Sequence, residues 1–368
     1  MKGQRRPRFQ LLTACVFLLI LGAFSLAKAL LPAPAVLQSE RRKPAQLPKL
    51  SLSSLSSGSF MGGFEPWAAD TFPFREGLRT LRAGAVFYLF NQADKGGLYL
   101  EDGAAGKFEA LNEPSARDLA RKIASLRAMF PADARAYVSV VPDKSLYAKR
   151  AYPGIDLPRL EAILREELPQ IPQINLSAVL NAESYYRTDL HWDQSRLQPV
   201  VSALAEGMGF EAATDFKVQE IGPFSGVYAG QLALPLKPDE MRLLSSPALE
   251  GSTALYLNPK SLQMEPGEIY WLSAFRGQDP YDVFLGGVQP LIRIENPNAE
   301  TDRELYLFRD SFSSSLVPLL APSYACVTLI DLRYVDSRIL FELIEPASDA
   351  DLLFLYGSTI FNSASVLK

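Results

Sequence analysis

The chain has one histidine in 368 residues, His191. It lies in Tyr185-Tyr-Arg-Thr-Asp-Leu-His-Trp192, two positions after Asp189. In an extended segment, residues two apart point to the same side. A carboxylate placed there accepts the ring Nδ1–H, orients the imidazole and stabilises its protonated form. That leaves Nε2 to take a proton from a serine. The plainer reading is a half-buried histidine satisfied by its neighbouring acid, with Trp192 as core. A serine with a suitable setting occurs later, in Arg309-Asp-Ser-Phe312. The β-rich run Leu305-Tyr-Leu-Phe308 leads into it and an apolar helix-like stretch follows. Ser311 is therefore expected at a strand-to-helix turn, its hydroxyl at a sheet edge. Its backbone N–H would lie near a helix N-terminus, which stabilises a developing oxyanion. The competing reading makes Asp310 or Ser311 only a helix N-cap, a position both residue types favour.

Other chemistries find less support. With a single histidine, a histidine-rich zinc or di-iron site is disfavoured, and two cysteines cannot make a disulfide scaffold. The chain has no Gly-x-Ser-x-Gly elbow, which argues against an ordinary α/β-hydrolase. It has no Gly-x4-Gly-Lys-Ser/Thr and no Gly-x-Gly-x-x-Gly loop, so no nucleotide cofactor is indicated. Neither a cofactor nor a metal is expected. Acidic pairs that would suit a glycosidase are available among 41 Asp and Glu, but no spacing singles one out.

The elements that must position these residues begin at a membrane. Lys2, Arg5, Arg6 and Arg8 precede an apolar run over residues 9–31. About 20 apolar residues span a bilayer, and a basic flank stays cytoplasmic. The run is long for a cleaved signal peptide, so an uncleaved anchor is favoured. Residues 1–8 are read as a cytoplasmic tail and 9–31 as the anchor. Residues 32–58, rich in Pro and Ser, are read as a flexible tether, and 59–368 as one extracytoplasmic domain. Residues 1–58 hold nine Lys or Arg and one acid, leaving the remainder with a net charge of −12. So acidic a domain is a poor binder of phosphate backbones, and nucleic acid is disfavoured as a partner. Cys326 is expected as a buried core thiol.

Within 59–368, strand-like runs at 136–141, 305–308, 324–330 and 352–356 alternate with amphipathic stretches at 115–130 and 157–168. That alternation implies an α/β sheet covered on both faces. Sites in such sheets lie beyond the carboxyl ends of the strands, where Ser311 is expected.

Several blocks resemble the bacterial DHHW protein family, within the SGNH-hydrolase-like group that includes the alginate O-acetylation proteins. They are Asp70-Thr-Phe-Pro-Phe-Arg75, the Tyr185–Trp192 motif, Phe284-Leu-Gly-Gly287, Arg309-Asp-Ser-Phe312, Asp331-Leu-Arg-Tyr334 and 351–362. The resemblance covers most of 60–365. It implies an SGNH-like α/β/α sandwich with a mostly parallel sheet, in which the Asp-His pair precedes the serine. Carried over by position, Ser311 is the nucleophile, His191 the general base and Asp189 its orienting acid. Gly286, Gly287, Arg333 and Tyr334 then fall in substrate-binding blocks. Three departures stand out. Leu190 replaces a second histidine of the motif, outside the triad. Residues 193–199 differ from the family's continuation. Val288 stands where the family usually has Asn, and if that Asn donates to the oxyanion, one donor is lost, worth about 10²–10³ in rate.

A nucleophilic serine, an imidazole base and a strand-end oxyanion site suit acyl transfer through an acyl-enzyme. The relatives act on exported polysaccharide, which implies a cell-surface glycan as acceptor and an integral membrane O-acyltransferase as a potential acyl donor. An acetylesterase and a non-catalytic glycan-binding or scaffold protein remain the alternatives.

Overall fold

The computed structural model describes residues 5–299 and 301–368. The side chains of residues 5–8 and all of residues 1–4 lie outside the described residues, and with them the basic tail read from the sequence. The chain divides into two compact units, residues 5–92 with Gly230–Pro235, and residues 93–229 with 236–368.

The first unit opens with helix α1, Arg5–Leu30, whose segment Phe9–Leu30 is long and apolar enough to cross a membrane. Residues 32–58, expected as a flexible tether, carry local structure. Leu37 bridges Arg42, and a helical turn at Leu52–Ser56 is capped by Ser51. Arg42 grips the Asp70 carboxylate with both terminal nitrogens, at 2.6 and 2.7 Å. That hydrogen-bonded pairing holds the Asp70 carboxyl down to about 2. Helix α2, Ser59–Asp70, and helix α3, Arg75–Gly84, follow. The boundary between units falls after Gln92 rather than at residue 59. The reason is visible in the packing: neither core flanking the main sheet draws on residues 59–92.

The second unit is built on a seven-stranded sheet. Its strands are β1 (Arg135–Val141), β2 (Thr253–Leu257), β3 (Met264–Gly267), β4 (Leu291–Glu295), β5 (Glu304–Arg309), β6 (Cys326–Ile330) and β7 (Asp351–Gly357). Their spatial order is β1-β7-β5-β6-β4-β2-β3. The four strands expected from apolar runs are β1, β5, β6 and β7, and they pair in parallel. The other three add antiparallel pairs at β6–β4, β4–β2 and β2–β3. The sheet is thus half parallel, not mostly parallel. The returning β2–β3 hairpin and β4 extend it in the opposite sense.

Side chains alternate across the strands as pleating requires. Tyr306, Phe308, Leu352, Phe354 and Tyr356 pack with helix α4, Glu113–Ala128, and helix α5, Leu157–Glu167. Leu305, Leu307, Leu353 and Leu355 pack on the other face with helix α6, Gln198–Met208, and helix α7, Phe312–Leu320. Helices on both faces explain why the central strands carry almost no polar residues. Cys326 is a free, buried thiol on β6, as expected.

Register places the functional edge. Phe308 pairs Ile330, Arg309 pairs Leu355, Gly357 pairs Val141, and Ile330 pairs Leu291. The carboxyl ends of β1, β7, β5 and β6 and the start of β4 therefore share one edge.

Candidate active site

Strand β5 ends at Arg309, and the chain turns through Asp310 and Ser311 into α7. Asp310 anchors the turn. Its Oδ1 accepts from the Phe312 N–H at 3.0 Å and its Oδ2 from the Gly357 N–H at 2.6 Å. Burial raises the Asp310 carboxyl, against these backbone donors. Ser311 holds the N-cap position but makes no side-chain capping bond. Its hydroxyl faces His191 Nε2 at 2.8 Å. The capping task thus falls to Asp310, and the Ser311 hydroxyl is committed to the imidazole.

His191 comes from a tight loop. The Tyr186 N–H donates to the His191 carbonyl at 3.1 Å, and the Asp193 N–H to the Ser184 carbonyl at 2.9 Å. Four residues, 187–190, turn between them. Asp189 lies inside the turn with its Oδ1 2.7 Å from His191 Nδ1 and its Oδ2 accepting from the Val227 N–H at 2.8 Å. Burial alone would raise the Asp189 carboxyl. The hydrogen bond and charge of His191, with the Val227 and His191 N–H groups, outweigh it and hold the group well below the usual carboxylate range. The imidazole stacks on the Tyr281 ring, centroids 3.7 Å apart and 5° from parallel. Trp192 locks the next position by donating from Nε1 to the Phe312 carbonyl at 2.9 Å.

Elements remote in sequence hold the loop. Asp239 accepts from the Arg187 and Thr188 N–H groups at 2.8 and 2.7 Å. Gly226 must be glycine, because a Cβ there would lie 2.3 Å from the Asp189 Cβ. Lys144, just beyond the end of β1, is 7 % exposed. Its Nζ donates to the carbonyls of Tyr186, Arg187 and Asp189 at 2.9, 3.3 and 2.7 Å. Burial lowers this ammonium to about 8, opposed by the charges of Asp189, Asp143 and Asp239.

The structure brings Asp189, His191 and Ser311 into one hydrogen-bonded line. Gly286 and Gly287 lie in the loop before β4, and Arg333 and Tyr334 in the turn after β6, all on the edge that carries Ser311. Both glycines have positive φ, 66° and 72°. Arg333 is held on Asp331 through Nε at 2.9 Å and Nη2 at 2.6 Å, over the Tyr334 ring. The Val288 side chain is 60 % exposed. Sequence reasoning missed Lys144, Tyr281, Gly226 and Asp239. Only Lys144 left a local signal, a lysine directly after the strand-ending Val141-Pro142-Asp143.

A cavity of about 350 Å³ opens at the ends of β1 and β7, with Asp143, Ser145, Tyr152 and Ser358 among its walls. Ser358 follows Gly357, whose N–H holds Asp310.

No family model matches the chain, and no curated protein matches it in sequence. Solved structures do share its fold. A DHHW family protein from Eubacterium siraeum DSM 15702 matches with a TM-score of 0.61 and 20% identity, over 74% of this chain and 94% of that one. Bacillus cereus PatB1, solved with a sulfonyl adduct, matches at 0.55 and 17% identity, over 72% and 96%. The O-acetyltransferase domain of Pseudomonas putida AlgJ superposes at only 0.40 with 13% identity, over 72% and 92%, too loosely to bear on this chain.

Proposed function

We propose that this chain is a membrane-anchored, extracytoplasmic acyl-transfer enzyme of SGNH-like type that O-acylates a cell-surface polysaccharide. The observation that carries the reading is the 2.8 Å approach of Ser311 Oγ to His191 Nε2, with Asp189 2.7 Å from Nδ1. In the first half-reaction Ser311 Oγ attacks the acyl carbonyl as His191 Nε2 takes the hydroxyl proton. Asp189 holds the Nδ1–H and stabilises the imidazolium. The tetrahedral oxyanion is met by the Ser311 N–H at the start of α7, and Gly286 and Gly287 are assigned to the substrate. Collapse expels the donor's leaving group, which collects the proton from His191, and leaves an ester on Ser311. In the second half-reaction an acceptor hydroxyl gives its proton to His191 and attacks that ester, regenerating Ser311.

A sugar hydroxyl as acceptor is supported by the motif-level resemblance to proteins acting on exported polysaccharide. Arg333 and Tyr334, on the neighbouring turn, are assigned to the substrate. Helix α1 is the anchor, with the basic tail in the cytoplasm and the sheet domain outside. There an integral membrane O-acyltransferase could present the acyl group. Val288 favours a second reading, a glycan-binding protein that has lost an oxyanion donor.

The test uses the full-length protein in lipid nanodiscs, with p-nitrophenyl acetate as donor and with or without glycan acceptors. Acetyl release that disappears in Ser311→Ala supports the enzyme, and acetyl recovered on the glycan supports the transferase. A Ser311→Ala variant that fully complements a deletion strain, together with no turnover by the wild type, would leave the binding reading.

A further inference from the structure

Helix α3 is packed inside out. Phe74, Leu78 and Leu81, at the spacing of one helical face, are 66 %, 39 % and 70 % exposed. Two of its arginines turn toward the protein, while Glu76 and Arg82 stay exposed. The Arg79 guanidinium donates to Ser39 Oγ at 2.6 Å and to the Gly230 carbonyl at 3.0 Å. Arg75 bonds Glu40, and Ala83 on the same side is fully buried. The apolar surface continues past the helix through Tyr88, Leu89 and Phe90, all more than three-fifths exposed. A water-soluble surface helix presents the opposite faces, and a contiguous exposed apolar patch marks an interaction surface.

Contacts with α1 place the turn from which this surface starts. The Phe72 ring packs on Phe24 with centroids 5.1 Å apart. Lys28 Nζ donates to Thr71 Oγ1 at 2.7 Å and sits 4.0 Å above the Trp67 ring. Phe24 lies inside the apolar segment Phe9–Leu30, six residues or about 9 Å from its end. The 71–74 turn is therefore level with the last turns of α1, and α3 starts from that level. Aromatic and basic groups at that depth match the composition of a membrane–water interface.

We propose that the face formed by Phe74, Leu78 and Leu81 and extended by Tyr88, Leu89 and Phe90 is a lipid-contact surface. It seats the first unit in the bilayer interface beside its own anchor. The proposal rests on reading α1 as a retained membrane helix. The occupant is lipid rather than another protein because the Phe72 ring, two residues before this face, packs on Phe24 of the apolar segment read as the anchor.

The test is site-directed spin labelling of the full chain in phosphatidylethanolamine/phosphatidylglycerol vesicles. Cys15→Ser and Cys326→Ala provide the background. Single labels go on Leu18→Cys, Phe74→Cys, Leu81→Cys and Val218→Cys, each variant first checked for an unaltered melting transition. Labels at 74 and 81 should show an oxygen-to-nickel accessibility ratio several-fold above that at 218 and approaching that at 18. Aqueous ratios at 74 and 81 with a lipid ratio at 18 would overturn the proposal and leave the anchor standing. Protection of the same labels in native membranes but not in vesicles would assign the face to a membrane protein, again against the proposal. An aqueous ratio at 18 would remove the anchor reading itself.

Discussion

Two regions of this molecule break the rule that polar groups face water and apolar groups face inward, in opposite directions. The His191 loop buries a carboxylate, an imidazole and an ammonium within a few residues' reach. Helix α3 sends leucines and a phenylalanine outward and Arg75 and Arg79 inward. Buried polar groups are costly unless every one is satisfied. In the loop each has partners: two N–H groups and an imidazole on Asp189, three carbonyls on Lys144, and Asp239 across Thr188. Such a loop has one arrangement, which is what a proton relay between Ser311 and His191 requires. Exposed apolar groups on α3 have no such resolution among the described residues, and the lipid contact proposed for them comes from outside the chain. Both departures mark function, the first as a geometry fixed from within and the second as a surface completed from without.

The largest effect expected in the first region is from Asp189→Asn. It keeps the shape but removes the charge that fixes the imidazole tautomer. Turnover should fall by about 10⁴-fold, measured as the acyl-release rate at saturating ester. The same carboxyl has a pH signature. Its value in the folded chain is depressed, so the unfolded state binds more protons as the medium is acidified. Its contribution to stability is complete above about pH 4 and is lost as pH falls through the lower folded-state value. Denaturant titrations of the wild type should show that loss, and those of Asp189→Asn should lack this component.

A smaller effect should follow at Lys144, which acts on the site only through the loop it holds. Lys144→Met removes three donor contacts and is expected to lower turnover by about 10²-fold through misplacement of the imidazole. Its pH behaviour separates positioning from bulk stability. With its ammonium lowered to about 8, the charged clamp weakens above that pH, and activity should decline there. Stability should move the other way. The unfolded lysine keeps its proton to about 10.4, so between 8 and 10.4 the unfolded state binds more protons and stability rises with pH. Lys144→Met should abolish both trends. If activity and stability fell together above pH 8, the clamp would not be what limits the reaction.

The smallest effect belongs to the second region. Changing Phe74, Leu78 and Leu81 to Gln removes apolar groups that join neither of the cores flanking the sheet. Each change should alter the unfolding free energy by no more than about 0.5 kcal/mol. Hydrolysis of a soluble ester should be unaffected. A large loss of stability on thermal melting in detergent would mean that α3 is packed as core and that the contrast between the two regions is false.

The sequence carried these regions unequally. A lone histidine two residues from an aspartate, and a serine after an apolar strand, are local features. Spacing made Asp189, His191 and Ser311 candidates and the motif resemblance gave them their roles, while the four parallel strands stood out by their continuous apolar runs. Strands β2 and β4 alternate partly buried and buried positions, as in Leu291-Ile-Arg-Ile-Glu295, and give no such run. The parallel character was therefore overestimated. Lys144, Gly226, Tyr281 and Asp239 reach the loop from four separate elements, and only folding brings them there. For α3 the periodicity of Arg75 to Arg82 reads as an ordinary amphipathic helix. Periodicity gives two faces and does not say which one points inward.

The central claim is that His191 activates Ser311 as a nucleophile. The direct measurement is covalent capture of the full-length protein by phenylmethylsulfonyl fluoride, located by peptide mass spectrometry. One sulfonyl group is expected on the peptide containing Ser311, and no modification there in His191→Ala at the same reagent concentration and pH. An unmodified Ser311 in the wild type, or one modified equally fast without the imidazole, would contradict it.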